Sequence, residues 1–400
     1  MELGNRAKNI TPSATVELTA KITEMRRKGT EVISFSAGEP DFDSPDNVLK
    51  AAKEAIDNGK TRYTSSSGIA PLKDAICSKL KEENGLDYSA DQVIVTTGAK
   101  QALFNALQVL CNPGDEVLIP VPCYVSYVEM VKLAGARPVF VPTSSESSYQ
   151  LDVSKVKAAL SPSTKAIIIN SPNNPTGAVY SKEVLTELGK LSAETGLIII
   201  SDEVYEKLVY GDCKHYSVAS LVPECKKNTV VINSVSKTYA MTGWRVGYAA
   251  SETNVIKAMN SIIGHQTSSV CTPAQYAALE ALTGPQNYVE VMVKEFEKRR
   301  NYIVERFNSI PGVCCPEPSG AFYVMPTISS VFGKFYHGRK ISDSKDFALV
   351  LLEEEHIAVV PGIAFEAPET IRMVYANSIE EIKEGMDKIE KVFSSIRSCT

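Results

Sequence analysis

The chain has little with which to bind a metal or a nucleic acid. Its four histidines, His215, His265, His337 and His356, stand far apart, and none has another His or Cys at ligand spacing. The nine cysteines are odd in number and scattered, without the repeated close pairs that build a zinc site, so reduced thiols are expected rather than a disulfide framework. Basic residues show no surplus: 42 Lys and Arg face 47 Asp and Glu, a net charge of −5, with none of the clustered positive charge that a phosphate backbone requires. No apolar run approaches the roughly 18 residues of a membrane span. The opening residues, MELGNRAKNI, carry charges and no apolar core, so no secretory signal is read there. These absences leave a cytoplasmic protein that acts on small molecules, without nucleic acid, membrane or metal as partner.

What is present is a large α/β core. Short apolar runs alternate with helical stretches: QVIVTT (92–97), EVLIP (116–120), RPVFV (137–141), KAIIIN (165–170), LIIIS (197–201), TVVIN (229–233) and RVGYAA (245–250). Seven such runs predict one mostly parallel seven-stranded sheet flanked by helices. Ser44 followed by Pro45 reads as an N-cap with proline at the first helical position, ahead of a buried stripe of Val48, Leu49, Ala52 and Ile56. Pro71 opens a second helix in the same manner and Gly85 ends it. After about residue 286 the texture changes to a long charged helix, GAFYVMP, a helix at SKDFALVLLEEE and the strands IAVV and IRMVYA, which predicts a smaller α+β domain. The expected division is an N-terminal arm over 1–45 joined to the small domain, a large domain over 46–287 and the small domain over 288–400. The EEE and KEFEKRR runs read as solvated helix faces.

The densest chemistry lies in NSVSKTYAMTGWRVGY (233–248). Open α/β sheets place ligands at the C-terminal ends of their strands, so the loop after TVVIN is where a site would form. Ser234, Ser236 and Arg245 offer two hydroxyls and a guanidinium, a clamp for phosphate, and Lys237 among them can serve as a Schiff-base nucleophile. Together they describe a phosphorylated aldehyde bound to lysine. An electron-withdrawing pyridine would need a carboxylate at its ring nitrogen, and LIIIS runs into Asp202, with Tyr205 three positions on. The plain alternative is a strand end whose Asp caps a turn. VTTGAKQALF offers Gly98, Ala99 and Lys100 at a helix N-terminus suited to an anion, although strand, turn and helix in succession are common. Tyr124, at another strand end, can stack on a ring or simply pack. Asn174, in SPNNPTG, can donate its amide or belong to a polar turn, and Arg372, in an apolar strand, can fork onto a substrate carboxylate or form a salt bridge.

SAGEPDF (36–42), Tyr63 in TRYTSSSG, GAKQALF, SPNNPTG, SDEVYE, SVSKTYAMTGWRVGY, SGAFYV and Arg372 follow one another across nearly the whole chain. In that order they resemble the fold-type I, pyridoxal 5'-phosphate-dependent class I aminotransferases, and most of all the bacterial-type aspartate aminotransferases. The resemblance implies that Lys237 carries the cofactor and moves the proton, and that Asp202 pairs with the ring nitrogen. Tyr205 and Asn174 would bond the phenolic oxygen, and Tyr124 would stack on the ring. Gly98, the Ala99 and Lys100 amides, Ser234, Ser236 and Arg245 would hold the phosphate. Arg372, with the Gly38 amide, would take the α-carboxylate. Tyr63 would reach the neighbouring subunit's phosphate in a homodimer with a shared active site.

The substrate follows less directly. In that subgroup the lysine matching Lys100 and the hydroxyls of a PSAT segment, here with Ser13 and Thr15, contact a side-chain carboxylate, which favours aspartate with 2-oxoglutarate in ping-pong transamination. Lys100 can instead be a solvated lysine and Ser13 a helix cap. Some relatives transaminate prephenate or aromatic acids, and several of these carry a lysine where Thr11 stands. A pyridoxal-phosphate β-lyase would use the same Lys, Asp and Arg but would release ammonia and pyruvate without an amino acceptor. A non-catalytic regulator would need a DNA-binding unit, for which the chain has no basic recognition helix.

Overall fold

A computed structural model describes residues 1–12 and 14–397, with the backbone alone at Asn5, Ala14 and Thr15. After a short β1 (Ile33–Ser34), seven strands form the main sheet: β2 (Val93–Thr96), β3 (Glu116–Val121), β4 (Arg137–Pro142), β5 (Thr164–Asn170), β6 (Ile198–Asp202), β7 (Thr229–Ser234) and β8 (Gly247–Ala250). Their spatial order is β2-β8-β7-β6-β5-β3-β4, and β8 alone runs against its neighbours. The architecture is α/β with a mostly parallel seven-stranded sheet, as the sequence predicts.

The Ile/Val runs form strands because both faces of this sheet are covered. Ile168, Ile200 and Ile232 pack on one face beneath the helix Gly98–Leu110, while Ile167, Ile169 and Ile199 pack on the other against the helix Lys182–Thr195. Successive residues of one strand therefore feed two cores, the period-two rule applied to a strand with no solvent face. The edge strand β4 carries two prolines, Pro138 and Pro142, and is the strand of this sheet with exposed residues.

The remaining strands are β9 (Tyr323–Val324), β10 (Phe335–Tyr336), β11 (Arg339–Lys340), β12 (Ile357–Ala358), β13 (Val360–Pro361) and β14 (Ile371–Val374). They make an antiparallel sheet β13-β14-β9, a β10-β11 hairpin and a parallel β1-β12 pair, packed with the helices Asn287–Asn308, Ser344–Glu354 and Ile379–Ser395. From the N-terminal helix Ala14–Arg27, Ile22 packs with Val32, Leu352 and Ala358. One apolar cluster joins Tyr205 and Leu208, just past β6, to Phe35, Phe322 and Met373, so the β6 end is the seam between the two parts. Among the described residues no helix is long and apolar enough to cross a membrane.

Several local expectations are corrected. The last sheet strand starts at Gly247 rather than 245, because Arg245 adopts a left-handed conformation with φ 56°. Ser44 does not cap the helix Asp46–Asp57: Pro45 holds the cap position, and the Ser44 hydroxyl donates to the Ala240 carbonyl and accepts from the Trp244 indole. Ile56, placed on the buried stripe, is 55% exposed. The KEFEKRR run is not wholly solvated, since Arg299 and Arg300 are buried and reach Asp41 and the Pro318 carbonyl. Glu355 of the EEE run is buried beneath the Tyr336 hydroxyl and Lys391.

Candidate active site

All the parallel strands point their C-terminal ends at one edge of the sheet, and the antiparallel β8 begins there. Read across that edge, the ends carry Gly98 (after β2), Arg245 (before β8), Ser234 (β7), Asp202 (β6), Asn170 (β5) and, beyond β3, Tyr124. Neighbouring strands lie roughly 5 Å apart. Groups distant in sequence are therefore laid out in one row along that edge.

At the β7 end, the extended Ser234 accepts from the Ser236 amide at 3.3 Å and starts a single helical turn, Val235–Thr238. Lys237 sits on that turn, not in an open loop, and its ammonium donates to the Gly38 carbonyl. The amine lies 5.9 Å from the Tyr205 ring centroid and 5.8 Å from that of Phe322. Burial pushes its pKa down to about 8; Glu39 and Asp202 oppose the shift, while Arg245 and Arg372 add to it. A lysine in this state supplies free amine near neutrality.

Asp202 ends β6, and its Oδ2 accepts from the Tyr127 hydroxyl at 2.6 Å. Burial raises its pKa to about 6, with the Tyr127 bond working against the rise. It is a carboxylate held out of water without a neutralising ion pair among the described residues. Three residues on, the Tyr205 hydroxyl lies 2.6 Å from that of Tyr323. Asn174 is fixed by its amide, which donates to Asn170 Oδ1 at 2.7 Å, and its own Oδ1 accepts from Arg372 Nη1 at 3.1 Å. Arg372 Nη2 donates to the Ser36 carbonyl at 2.6 Å, and the guanidinium lies 4.8 Å and 5.0 Å from the ring centroids of Tyr323 and Phe365. Its Nε is buried without a partner, and among the described residues it has no carboxylate neighbour, so a structural salt bridge is not what places it there.

The β2/β8 corner is a close approach of backbones. A Cβ on Gly98 (φ +73°) would overlap the Arg245 guanidinium, and one on Gly247 would overlap the Ala99 amide, so both positions need glycine. Arg245, exposed, is steadied by Nη1 donating to the Thr242 carbonyl at 2.7 Å. Tyr124 stands edge-on to Tyr127 at 5.5 Å, with the Lys100 ammonium 5.5 Å from its ring centroid.

These side chains line one cavity of about 360 Å³, which brings together Gly38, Ala99, Lys100, Tyr124, Asn174, Asp202, Tyr205, Ser234, Ser236, Lys237, Arg245 and Arg372. Tyr63 is not among them; it is exposed at the surface of its own chain. Ser13 and the Thr15 side chain lie outside the described residues. Sequence reasoning missed Tyr127, Tyr323, Asn170 and Ser36, all of which line the cavity. Each was within reach of a signal: Tyr127 follows Tyr124 by three in VPCYVSY, Asn170 ends a strand, and Tyr323 and Ser36 lie within SGAFYV and SAGEPDF.

The segment that bears Asp202 and Tyr205 also carries Glu203 and Glu206, which point away from the cavity. Glu206 is paired with the buried Lys79 and accepts from Asn84 Nδ2 at 2.7 Å. Glu203 accepts from the Ser201 and Ser217 hydroxyls at 2.8 Å and 2.7 Å and lies 3.2 Å from His215 Nε2. Glu203, Glu206 and His215 come within 4.8 Å of one another, close enough to hold a metal, but Lys79 already supplies the cation.

The chain matches the family model described as aminotransferase class I and II over residues 30–389. It is 46% identical over 389 residues to an aspartate aminotransferase of Bacillus sp. (strain YM-2), covering 97% of this chain and 98% of that one. It is also 46% identical, with the same coverage, to an aspartate/prephenate aminotransferase of Cereibacter sphaeroides. Among solved structures, an aspartate aminotransferase from Rhizobium meliloti superposes with a TM-score of 0.96 at 38% identity, over 99% of this chain and all of that one. The Thermus thermophilus aspartate aminotransferase with maleate superposes with a TM-score of 0.93 at 41% identity, over 98% and 100%.

Proposed function

The chain belongs to the class I and II aminotransferases, and from that premise we propose that it transfers the amino group of L-aspartate to 2-oxoglutarate with pyridoxal 5'-phosphate as cofactor. The observation that carries this reading is the convergence of Lys237, Asp202, Tyr205, Asn174 and Arg372 on one cavity. The residues present suit the cofactor. Asp202 is a buried carboxylate in want of a cation, Arg245 and the amides opening the helix at Gly98 meet at a corner that only glycine permits, and a lysine amine with lowered proton affinity stands between them. When bound, the cofactor supplies a protonated ring that takes up the electron pair left at the substrate Cα.

Each residue then has a separate task. Arg372, with its unpartnered Nε, and the Gly38 amide take the α-carboxylate, which fixes the Cα–H bond relative to Lys237. With the cofactor bound, the Lys237 amine would act as general base toward the substrate Cα–H and then, as the ammonium, as general acid, both at one nitrogen. Its pKa of about 8 suits both directions near neutral pH. Asp202, oriented by Tyr127, would hold the proton on the ring nitrogen, and Tyr205 and Asn174 would bond the phenolic oxygen. The Ala99 and Lys100 amides, Ser234, Ser236 and Arg245 hold the phosphate, and Tyr124 covers the ring. Because the amino group remains on the enzyme when the first oxo acid leaves, the reaction is ping-pong. Tyr63, exposed and away from its own cavity, serves the neighbouring subunit's phosphate in a homodimer. Eight described cysteines, all unpaired, suit a cytoplasmic enzyme.

Aspartate is favoured by the relatives' activity and by Lys100, whose ammonium stands at the cavity beside Tyr124. A second reading, prephenate as acceptor, is supported by the Cereibacter sphaeroides relative. The absorption spectrum of the purified protein, recorded before and after L-aspartate alone, tests the assignment. Conversion of the bound-aldehyde band to the amine form with one oxaloacetate per site is expected. A band that ignores aspartate would turn the search to prephenate and aromatic acids, and no band after adding pyridoxal phosphate would overturn the cofactor assignment.

A further inference from the structure

Tyr323 is the first residue of β9, in the smaller part of the molecule, and its hydroxyl is carried into the cavity formed by the large sheet. Three groups meet it there. The Tyr205 hydroxyl lies at 2.6 Å, the Arg372 guanidinium packs on the ring with its carbon 4.8 Å from the centroid, and Gly38 comes so close that a Cβ would sit 2.8 Å from the phenolic oxygen. Gly38 therefore has to be glycine to admit this hydroxyl. A phenol at 0% exposure that, among the described residues, bonds only another phenol contributes little that phenylalanine would not contribute by packing. Its position at the meeting of the carboxylate-binding arginine, the Gly38 backbone and Tyr205 calls for another explanation.

We propose that Tyr323 is a positioning residue that fixes the direction of the Tyr205 O–H, so that Tyr205 donates to the cofactor's phenolic oxygen and not back toward the small domain. This rests on the pyridoxal phosphate reading above. Each hydroxyl has one proton, so the pair can be ordered in two ways. The Arg372 guanidinium over its ring makes Tyr323 the more acidic of the two phenols, and so the better donor. With an anionic oxygen present to accept the Tyr205 proton, Tyr323 donates to Tyr205, Tyr205 donates onward, and each bond strengthens the next. The titratable and charged groups facing the two phenols are Asp202, Tyr124 and Arg372, with Lys237 against the Tyr205 ring; none of them is removed by the test.

The chain of donors also joins two binding tasks. Arg372 is hydrogen-bonded to Asn174 on one side and packed on Tyr323 on the other, so both protein groups assigned to the phenolic oxygen are held by the residue that takes the substrate carboxylate. Tyr323 is the route that runs through the small domain.

The test is Tyr323→Phe, which removes one oxygen and keeps the ring under Arg372. A spectrophotometric pH titration of the purified holoenzyme without substrate reads the proton affinity of the bound imine. A donor chain ending on the phenolic oxygen favours the unprotonated imine, so Y323F is expected to raise the midpoint by about half a pH unit, a threefold change in proton affinity. In a Tyr205→Phe background the same substitution should shift nothing further. A midpoint unchanged by Y323F, or an equal shift with and without Tyr205, would overturn the proposal, the latter by showing that Tyr323 acts through packing on Arg372. Absence of a titrating band in wild type as well as variant would remove the cofactor reading on which it stands. Thermal unfolding of the cofactor-free variant is expected to match wild type, since the ring is retained.

Discussion

Asp202–Glu206 is one five-residue segment with two environments. On the cavity side, Asp202 and Tyr205 are buried polar groups short of partners: Asp202 has one tyrosine hydroxyl, a long bond from the Val204 amide and no ion pair among the described residues, and burial raises its pKa to about 6. On the other side, Glu206 is buried to the same degree, yet Lys79 and Asn84 overcome the burial and hold its carboxyl at about 2, while Glu203 has three donors around it. Desolvation is common to both faces, so partner supply makes the difference. A buried charge that is fully partnered acts as scaffold, and one left in want of a partner marks where a ligand's charge is to go.

The two half-buried or buried lysines sharpen that contrast most. Lys237→Ala should lose at least about 10⁴-fold of the aspartate half-reaction, because the proposed mechanism makes nucleophile, base and acid one nitrogen. Its unfolding temperature in the cofactor-free state should be unchanged or raised, since a charge that burial opposes has been removed. Half-reaction at the wild-type rate would break the assignment. Lys79→Met should do the reverse. It strands Glu206 without its cation and costs about 3–5 kcal/mol in unfolding free energy, most of it regained in Lys79→Met/Glu206→Leu. Catalysis by whatever fraction remains folded should stay within a few-fold. A chemically stable Lys79→Met protein that fails to turn over would put the back cluster into the reaction.

A subtler test uses pH. Because burial raises the folded pKa of Asp202 above its ordinary 3.8, the folded protein holds this proton more tightly than the unfolded chain. The stability it contributes is fully present below about pH 4 and is lost as the pH rises through about 6. Cofactor-free Asp202→Asn should therefore be more stable than wild type at pH 8, by up to about 3 kcal/mol, and the gain should vanish toward pH 4. Denaturant unfolding at the two pH values measures it; a gain independent of pH would mean that Tyr127 alone already compensates the charge.

The strands and much of the row of candidate site residues were legible in the sequence for one reason: a parallel strand buried on both faces is a continuous Ile/Val run, and its candidate residue sits just past the end of the run, as in LIIISD and TVVINS; Asn170 in KAIIIN stands in the same place and was passed over. Arg299 and Arg300 were not legible as buried, because Asp41, which Arg299 meets, lies 258 positions away in sequence. Ser44 looked like a cap because Ser-Pro usually is one; a tertiary bond from Trp244 claims its hydroxyl instead. Tyr127 and Tyr323 were passed over, and their rings do pack in the core. Only the fold shows what each hydroxyl touches, because a hydrogen bond between phenols 118 positions apart leaves no periodicity.

Lys100 gives the smallest effect and the one that bears on substrate choice. Its backbone belongs to the helix opening at the phosphate corner, but its side chain is exposed and lies over Tyr124 at the cavity, a third situation beside the unpartnered front and the satisfied back. If it meets the distal carboxylate of aspartate, it does so in water, where such a pair is worth up to about 1 kcal/mol. Lys100→Met should then raise KM for aspartate by about fivefold, leave kcat nearly unchanged and leave any reaction with alanine, which has no second carboxylate, untouched. Added salt should shrink the wild-type advantage, since an exposed pair is screened. An equal loss for aspartate and alanine would assign Lys100 to the phosphate corner through its backbone neighbours and leave the recognition of the second carboxylate to the segment around Thr15.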